Sequence, residues 1–265
     1  MAGPRDLFGY LGRWTSRMAR GTFYLAAFAS ECAVLAIRPG SWTVPVRARL
    51  MRQILFGGVE AIPFTVFSGI VIGIVLTVNS FQWLEFTSRL EFLGPALSLV
   101  VIREAAPFFA CVIIIAASAS AITAELANMR VSGEVDLIDA QGINLLQFVV
   151  MPRMIGLAIA CTGLATVFVA SAFAASAVGI LMIGRIPPGP FFDSIFASLA
   201  MEDFINLIGR SALPSYLIGG ICCYEGLSVS GPATSVPQAV TRAMLRSVAA
   251  TLLVSAVFAI LTYIK

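Results

Sequence analysis

Long apolar stretches with almost no charge constrain this chain more than any other feature. A helix needs about 20 apolar residues to cross a bilayer, and lipid offers no hydrogen-bond partners to a backbone outside helices or closed barrels. The alternating polar and apolar residues of barrel strands are absent. The chain is therefore predicted to be an all-α membrane protein with five transmembrane helices. These cover residues 61–84, 92–124, 154–184, 204–228 and 247–264.

Composition excludes most catalytic chemistry. Only 12% of the 265 residues are charged, there is no histidine, and the only lysine is Lys265. A G-x-x-x-x-G-K-[ST] phosphate-binding loop needs an internal lysine, while Ser-His triads and histidine metal sites need histidine. The five cysteines have no metal-ligand spacing. We therefore expect a non-catalytic subunit with neither metal nor cofactor, in which any ATP and Mg would be bound by a partner chain.

The first 52 residues form a basic segment ahead of a membrane domain at 53–265. Residues 6–20 place apolar side chains on one helical face and arginines on another. This pattern is typical of a helix lying in the membrane interface, and an amphipathic helix packed on protein is the alternative. Residues 21–37 are apolar but short for a span. We therefore expect residues 1–52 to be interfacial.

Basic residues predict the orientation, because cytoplasmic loops are enriched in Lys and Arg. Eight of the 17 basic residues lie in the first 52 positions. Segments 125–153 and 229–246 contain two each, whereas segments 85–91 and 185–203 contain one each. This alternation predicts a multi-pass chain with its N-terminus in the cytoplasm and its C-terminus outside.

Segment 125–153 contains a predicted short helix at about 131–142. Ser132 is suited to the N-cap, Glu134 and Asp136 follow in the first turn, and Gly142 supplies a left-handed C-terminal position. An acidic face would lie beside an apolar stripe. Such a helix could be a solvated loop element or a docking surface for a motor subunit. The stripe consists of Val131, Val135 and Ile138.

Small residues recur at helical spacing in two of the predicted spans. The first span contains Gly69-x-x-x-Gly73 with Thr77 one turn on, and the third contains Ser171, Ala175 and Gly179. Small side chains at this spacing allow membrane helices to approach closely. We expect these stripes to be helix contacts.

Several ordered motifs resemble those of the MlaE permease family, the membrane subunits of ABC lipid transporters associated with MCE-domain proteins. The similarity covers most of the chain. Its most specific element, in the second span, is followed by three shorter ones. In order they are Arg103-Glu104-x-x-Pro107, Ala124-Glu125-Leu126, Met129-Arg130 and Pro152-Arg153.

The resemblance implies a bacterial inner-membrane half-transporter of lipid, such as phospholipid, that works as a homo- or heterodimer. Two cytoplasmic ABC ATPase subunits and an MCE-domain protein would be its partners, with no nucleic acid involved. Segment 131–142 would be the coupling helix that docks on the ATPase. The coupling residues would be Glu125, Arg130, Glu134, Val135, Asp136 and Asp139.

Some positions depart from the family pattern. Relatives carry a Gly-Arg-x-Gly run where this chain has Ala116 to Ala119, so an arginine near the end of the second span is missing. Gly133-Glu134 replaces a Glu-Gln pair in the coupling helix. We expect coupling to be retained and pairing with the ATPase to be specific to this subtype.

Arg103 and Glu104 are the most informative intramembrane charges, because ionisable groups in a bilayer are costly and usually paired or functional. Adjacent helix positions diverge by about 100° and do not face each other. Glu104 is therefore expected to pair with Arg210, and Arg103 with Asp203 or a lipid phosphate. The four residues could form a structural network joining the second and fourth spans, or could line the lipid pathway.

The lipid cavity is expected to include the outer part of the first span, although apolar residues there could equally face lipid. A different class of function is an ion or proton channel or secondary carrier, with Arg103, Glu104 and Arg210 as a relay. The absence of histidine and of an evident inverted repeat disfavours it. The predicted cavity residues are Leu76, Asn79, Ser80 and Trp83, with Phe81 as a further candidate.

Overall fold

A computed structural model describes residues 27–38, 40, 42–86, 92–183, 188–231 and 233–263. The predicted interfacial helix at 6–20 lies outside these ranges, as does most of the 85–91 loop. Within them the chain is helical and contains no strand. The helices are α1 Ala27–Ile37, α2 Val44–Gly58, α3 Ile62–Phe86, α4 Leu93–Val131, α5 Glu134–Ala140, α6 Leu146–Ile183, α7 Pro188–Ser198, α8 Met201–Leu227 and α9 Val236–Tyr263.

Four helical stretches of the described chain are long and apolar enough to cross a membrane. This confirms the all-α membrane fold. Helix α8 has 27 residues, about 40 Å of helix, but it carries Glu202, Asp203, Arg210 and Glu225 and is not among the four. The fifth span therefore stays a prediction. The four stretches are Val44–Phe86, Leu93–Val131, Leu146–Ile183 and Val236–Thr262.

Helix α8 packs against α4, α6 and α9. Helix α1 packs on it, because the Tyr216 hydroxyl donates to the Ala29 carbonyl at 2.8 Å and Cys32 is fully buried. Eleven residues of α1 cover only about 16 Å. The described part of this segment is thus too short to cross the bilayer.

Helices α3 and α6 meet along the predicted stripes of small residues. A Cβ on Gly69 would lie 2.1 Å from Ser171 Oγ, and one on Gly73 would lie 2.4 Å from the carbonyl oxygen of Ala172. Thr77 is fully buried and packs near Gly179. The predicted close contact is confirmed. It fixes the face that α3 turns toward the bundle and the face that it leaves for other contacts.

The loops between spans gather at two ends of the bundle. At one end α7 packs on the start of α4, where Ser98 Oγ and Ser198 Oγ lie 2.8 Å apart. Phe81 is buried there among Leu93, Ile180 and neighbouring side chains. It therefore belongs to the core, and its candidacy for the lipid cavity was wrong.

Candidate transport site and coupling surface

The Arg103-Glu104-x-x-Pro107 motif lies in a part of α4 where the helical turns are wider than those of an α-helix. Residues Leu99–Ala105 form a π-helical stretch, and α-helical geometry resumes at Ala106. Proline has no backbone N–H, so Pro107 cannot donate to the carbonyl of Arg103 four residues earlier. That carbonyl instead accepts a hydrogen bond from Arg210 Nη1 at 2.5 Å. The proline therefore helps to create an acceptor for a buried cation.

Arg210 joins three helices through one side chain, which is only 3% exposed. Its two terminal nitrogens bind the Glu104 carboxylate as a bidentate pair, at 2.7 and 2.9 Å. Nη2 also donates to the Ser255 carbonyl of α9 at 3.3 Å. A planar guanidinium has enough N–H donors to bind both carboxylate oxygens and two carbonyls at once, whereas a lysine ammonium has only three donors.

Arg103 forms a second ion pair with α8. Its Nε lies 2.6 Å from Asp203 Oδ1, and the second carboxylate oxygen accepts from the Ala200 backbone N–H at 3.1 Å. Asp203 thus caps α8 and holds α4 at the same time. Both pairs suggested by the sequence are present. Whether they serve the lipid pathway or only join the helices stays a prediction.

A cavity of about 460 Å³ opens beside the Glu104–Arg210 pair, between α3 and α4. We call it the transport cavity, after the role that we propose for it below. Its wall is apolar apart from this ion pair and Ser255. Val75 and Val100, on its two sides, are 50% and 38% exposed. The transport cavity therefore opens sideways, between two helices that can face lipid. Its other lining residues are Ile72, Leu76, Ala105, Pro107, Phe108 and Phe109.

Of the four cavity residues predicted on α3, Leu76 lines the transport cavity and the others do not. Asn79 is exposed and donates to the Val75 carbonyl at 2.9 Å. Trp83 is 73% exposed, near the end of α3, where an interfacial aromatic anchor is expected. Ser80 is half-buried away from the cavity.

The predicted coupling helix is shorter than expected and begins differently. Helix α5 covers Glu134–Ala140, and Ser132 caps the end of α4 with its hydroxyl on the Met129 carbonyl. The predicted Ser132 N-cap was therefore wrong. Gly133 occupies the N-cap with a φ of 79°, a left-handed value that glycine adopts without steric cost. The left-handed Gly142 is confirmed, with a φ of 73°.

Sequence comparison decides the family. The model for "Permease MlaE" matches residues 50–261. The chain belongs to the MlaE permease family. Relatives described as probable ABC transporter permease proteins include ycf63 of Porphyra purpurea, 26% identical over 74% of each chain. Others are RT0041 of Rickettsia typhi, 24% identical over 91% of this chain and 92% of the relative, and slr1045 of Synechocystis, 26% identical over 77% and 78%.

In this MlaE-family permease the predicted coupling residues on α5 divide by exposure. Glu134, Asp136 and Asp139 are exposed on α5. Val135 is only 8% exposed and anchors the helix, so it cannot offer a contact surface. Leu137 is 63% exposed, and the sequence analysis missed it. The sequence offered one sign of its exposure, because Leu137 is an apolar residue that lies outside the predicted apolar stripe of this helix.

Three of the predicted coupling residues make ion pairs within this permease. Arg130 binds Asp136 at 2.5 Å across the turn between α4 and α5. Glu125 binds Arg153 at 2.7 Å and thereby joins the end of α4 to the start of α6. Their role toward an ATPase stays a prediction.

A further cluster at this end of the permease was not predicted. Glu225 of α8 is 3% exposed and accepts from Arg246 Nη1 and, at 3.3 Å, from Arg242 Nε of α9. Close packing accompanies it, because a Cβ on Gly226 would lie 2.8 Å from Leu126 Cβ. The sequence contains a sign of this cluster. An acid, Glu225, lies in an apolar stretch and is followed by two arginines one helical turn apart. The cluster fixes α8, α9 and α4 together where α5 begins.

Proposed function

We propose that this permease is one half of an ABC transporter that moves phospholipid or another lipid between membranes. The observation that carries this proposal is the transport cavity, an apolar chamber with a bidentate ion pair in its wall. An apolar wall of this kind stabilises acyl chains relative to water, while the Glu104–Arg210 pair offers charge to a polar headgroup. This combination suits an amphiphile better than a bare ion.

The motor and the receiving partner belong to other chains in this proposal. Two ABC ATPase subunits bind ATP and Mg and dock on α5, and an MCE-domain protein takes or delivers lipid on the far side of the membrane. The permease pairs with a second permease chain, identical or different. It resides in a bacterial inner membrane with its N-terminus in the cytoplasm.

The connection from α5 to the cavity supports this mechanism. Helix α5 follows α4 through Gly133 and is tied to it by the Arg130–Asp136 pair. Helix α4 carries Arg103 and Glu104, whose partners lie on α8. Movement of α5 by the ATPase would therefore shift α4 against α8 and change the volume of the transport cavity. This chain performs no covalent step.

The test is lipid transfer by the complete complex in liposomes, with and without ATP. Leu76→Trp should fill the transport cavity and reduce ATP-dependent transfer by about tenfold or more, because the larger side chain occupies the lipid volume. Phe67→Trp is the matched control on α3, since Phe67 is 64% exposed and outside the cavity. Unchanged transfer in Leu76→Trp would exclude the cavity as the pathway. Nucleotide-independent ion current would support the channel or carrier instead.

A further inference from the structure

A second cavity, of about 740 Å³, lies at the α5 end of the bundle, away from the transport cavity. It is enclosed by α2, the last turns of α4 and the first turns of α6. We call it the basic pocket. Neither Glu104 nor Arg210 lines it, so its occupant can be considered independently of transport. Its charged and buried polar lining consists of Arg49, Arg52, Gln53, Glu125, Glu134 and Arg153.

Two arginines of α2 reach this pocket from one side. The Arg49 guanidinium lies 3.9 Å from the centre of the Phe148 ring and donates to the Phe148 carbonyl at 3.5 Å. Stacking of this kind orients the guanidinium. Arg52, one helical turn on, is exposed. The pair presents two cations at the mouth of the pocket, one oriented by the Phe148 ring and one exposed to solvent.

Two further hydrogen-bond donors lie behind these two arginines. Gln53 is 8% exposed, and neither its Nε2 nor Arg153 Nη1 has a hydrogen-bond partner among the residues that the structure describes. A buried donor left unpaired costs about 1–3 kcal/mol, so each calls for an acceptor. Both atoms are buried, and an acceptor in the pocket would reach them through a bridging water or a small side-chain shift. Four residues rich in N–H groups therefore line this pocket, which suits the several acceptor oxygens of a phosphate.

The pocket also contains two carboxylates. Glu125 is bound to Arg153 at 2.7 Å but its side chain is 61% exposed, and Glu134 is exposed at the start of α5. Three arginines and two glutamates give the lining both signs of charge. A ligand with a phosphate and a nearby ammonium group complements both signs of charge, whereas a simple anion complements only the arginines.

The surroundings of the pocket favour a membrane ligand. Helix α2 continues into α3 as one helical stretch, Val44–Phe86, that contains a segment apolar enough to cross a membrane. Met51, Leu55 and Phe56 are exposed on α2, at 63%, 58% and 41%, and Phe56 also lines the pocket. Exposed apolar side chains beside arginines are typical of the boundary between acyl chains and headgroups. Acyl chains could lie along these residues while the headgroup enters the pocket.

We propose that the basic pocket binds the headgroup of an aminophospholipid from the adjacent leaflet. Its phosphate lies against Arg49 and Arg52, with Gln53 and Arg153 behind them. Its ammonium group lies toward Glu125 and Glu134. Because these two glutamates belong to α4 and α5, an occupied pocket would tie the lipid to the element that docks on the motor.

Photo-crosslinking with phosphatidylethanolamine that carries a diazirine near its headgroup tests this proposal. The full chain is labelled in lipid nanodiscs and the modified peptides are identified by mass spectrometry. Label is expected on the peptides around Phe56 and Met129. It should fall about tenfold or more in Arg49→Gln/Arg52→Gln, as expected for loss of charge-assisted hydrogen bonds. Arg47→Gln is the matched control, because Arg47 is exposed on the same helix and outside the pocket.

A second variant separates binding from misfolding. Gln53→Met keeps the side-chain length but removes the buried amide, and it should reduce pocket labelling while labelling around Phe108 in the transport cavity stays unchanged. Pocket labelling that persists in the double arginine variant would overturn the proposal. Competition by free inorganic phosphate would identify a soluble anion as the ligand and overturn the lipid assignment.

Two other comparisons test the class of ligand. Equal labelling by the phosphatidylglycerol analogue would overturn the assignment of an ammonium group to the two glutamates. Loss of pocket labelling when the ATPase subunit is bound would show that an acidic segment of the ATPase is the occupant, which would also overturn the proposal. Labelling confined to the transport cavity would exclude the basic pocket and leave the proposed transport function intact.

Discussion

Exchange of Arg210 for methionine removes four hydrogen bonds from the centre of the bundle. We expect Arg210→Met to lower the free energy of unfolding by about 3 kcal/mol, because Glu104 and two carbonyls lose their partner. Glu104→Met in the same chain should restore part of this loss, since no unpaired carboxylate then remains. Denaturation in mixed detergent micelles measures each step of this double-mutant cycle.

The exposed pair Arg130–Asp136 provides the control for that cycle. Its side chains are 40% and 72% exposed, and solvent-exposed ion pairs contribute about 0–1 kcal/mol. Arg130→Gln should therefore change the stability little. An effect as large as that of Arg210→Met would mean that burial does not explain the difference.

At the residue scale, sequence predicted partners well where charge is scarce. Glu104 had one cation in the apolar part of another predicted span, Arg210, and the structure joins them. The direction in which a side chain faces was harder to predict. Outside its stripe of small residues, helix α3 is apolar on all sides, so its pattern does not show which of the other residues face a cavity. Leu76 lines the cavity between α3 and α4, whereas Asn79 and Trp83 do not, and their roles toward lipid stay predictions.

At the scale of helices, the contact between α3 and α6 depends on the absence of a side chain at Gly73. An added Cβ would lie 2.4 Å from the Ala172 carbonyl oxygen and 2.8 Å from its Cα. Backbone atoms cannot rotate away, so Gly73→Ala should lower the free energy of unfolding by about 1–3 kcal/mol. Gly163→Ala is the matched control in α6, because no described atom lies within 4 Å of its added Cβ. It should be neutral or stabilise by up to about 1 kcal/mol.

Helix α5 allows docking to be separated from folding. Leu137 is 63% exposed and Val135 is 8% exposed on the same short helix. Leu137→Asp should weaken association with the ATPase by about tenfold or more without a change in thermal midpoint, whereas Val135→Ala should lower the midpoint. Co-purification and thermal denaturation of both variants measure this difference. Full retention of the ATPase by Leu137→Asp would place the docking surface elsewhere.

The boundary between α4 and α5 shows why capping was mispredicted. Ser132 and Gly133 are both acceptable N-caps in sequence. The choice depends on how far α4 continues, and tertiary packing decides this, because Leu126 and Ala127 near its end are fully buried. Helix α4 therefore extends to Val131, Ser132 caps its C-terminus, and the chain reverses at Gly133.

At the scale of the molecule, the remaining question is which end of the bundle faces the cytoplasm. All five cysteines are buried, so the native chain should react little with thiol reagents. Asp139 on α5 and Asp193 on α7 are both exposed, at opposite ends of the bundle. Each can be exchanged for a single reactive cysteine without disturbing the core.

The positive-inside distribution predicts opposite labelling of these two variants. In intact cells a membrane-impermeant maleimide should label Asp193→Cys, while Asp139→Cys should react only after permeabilisation. The native chain serves as the background control in both conditions. Labelling of Asp139→Cys in intact cells would invert the orientation and would remove α5 from reach of a cytoplasmic ATPase. Labelling of both variants before permeabilisation would require an even number of crossings between α5 and α7, and hence a different path for α6 through the membrane.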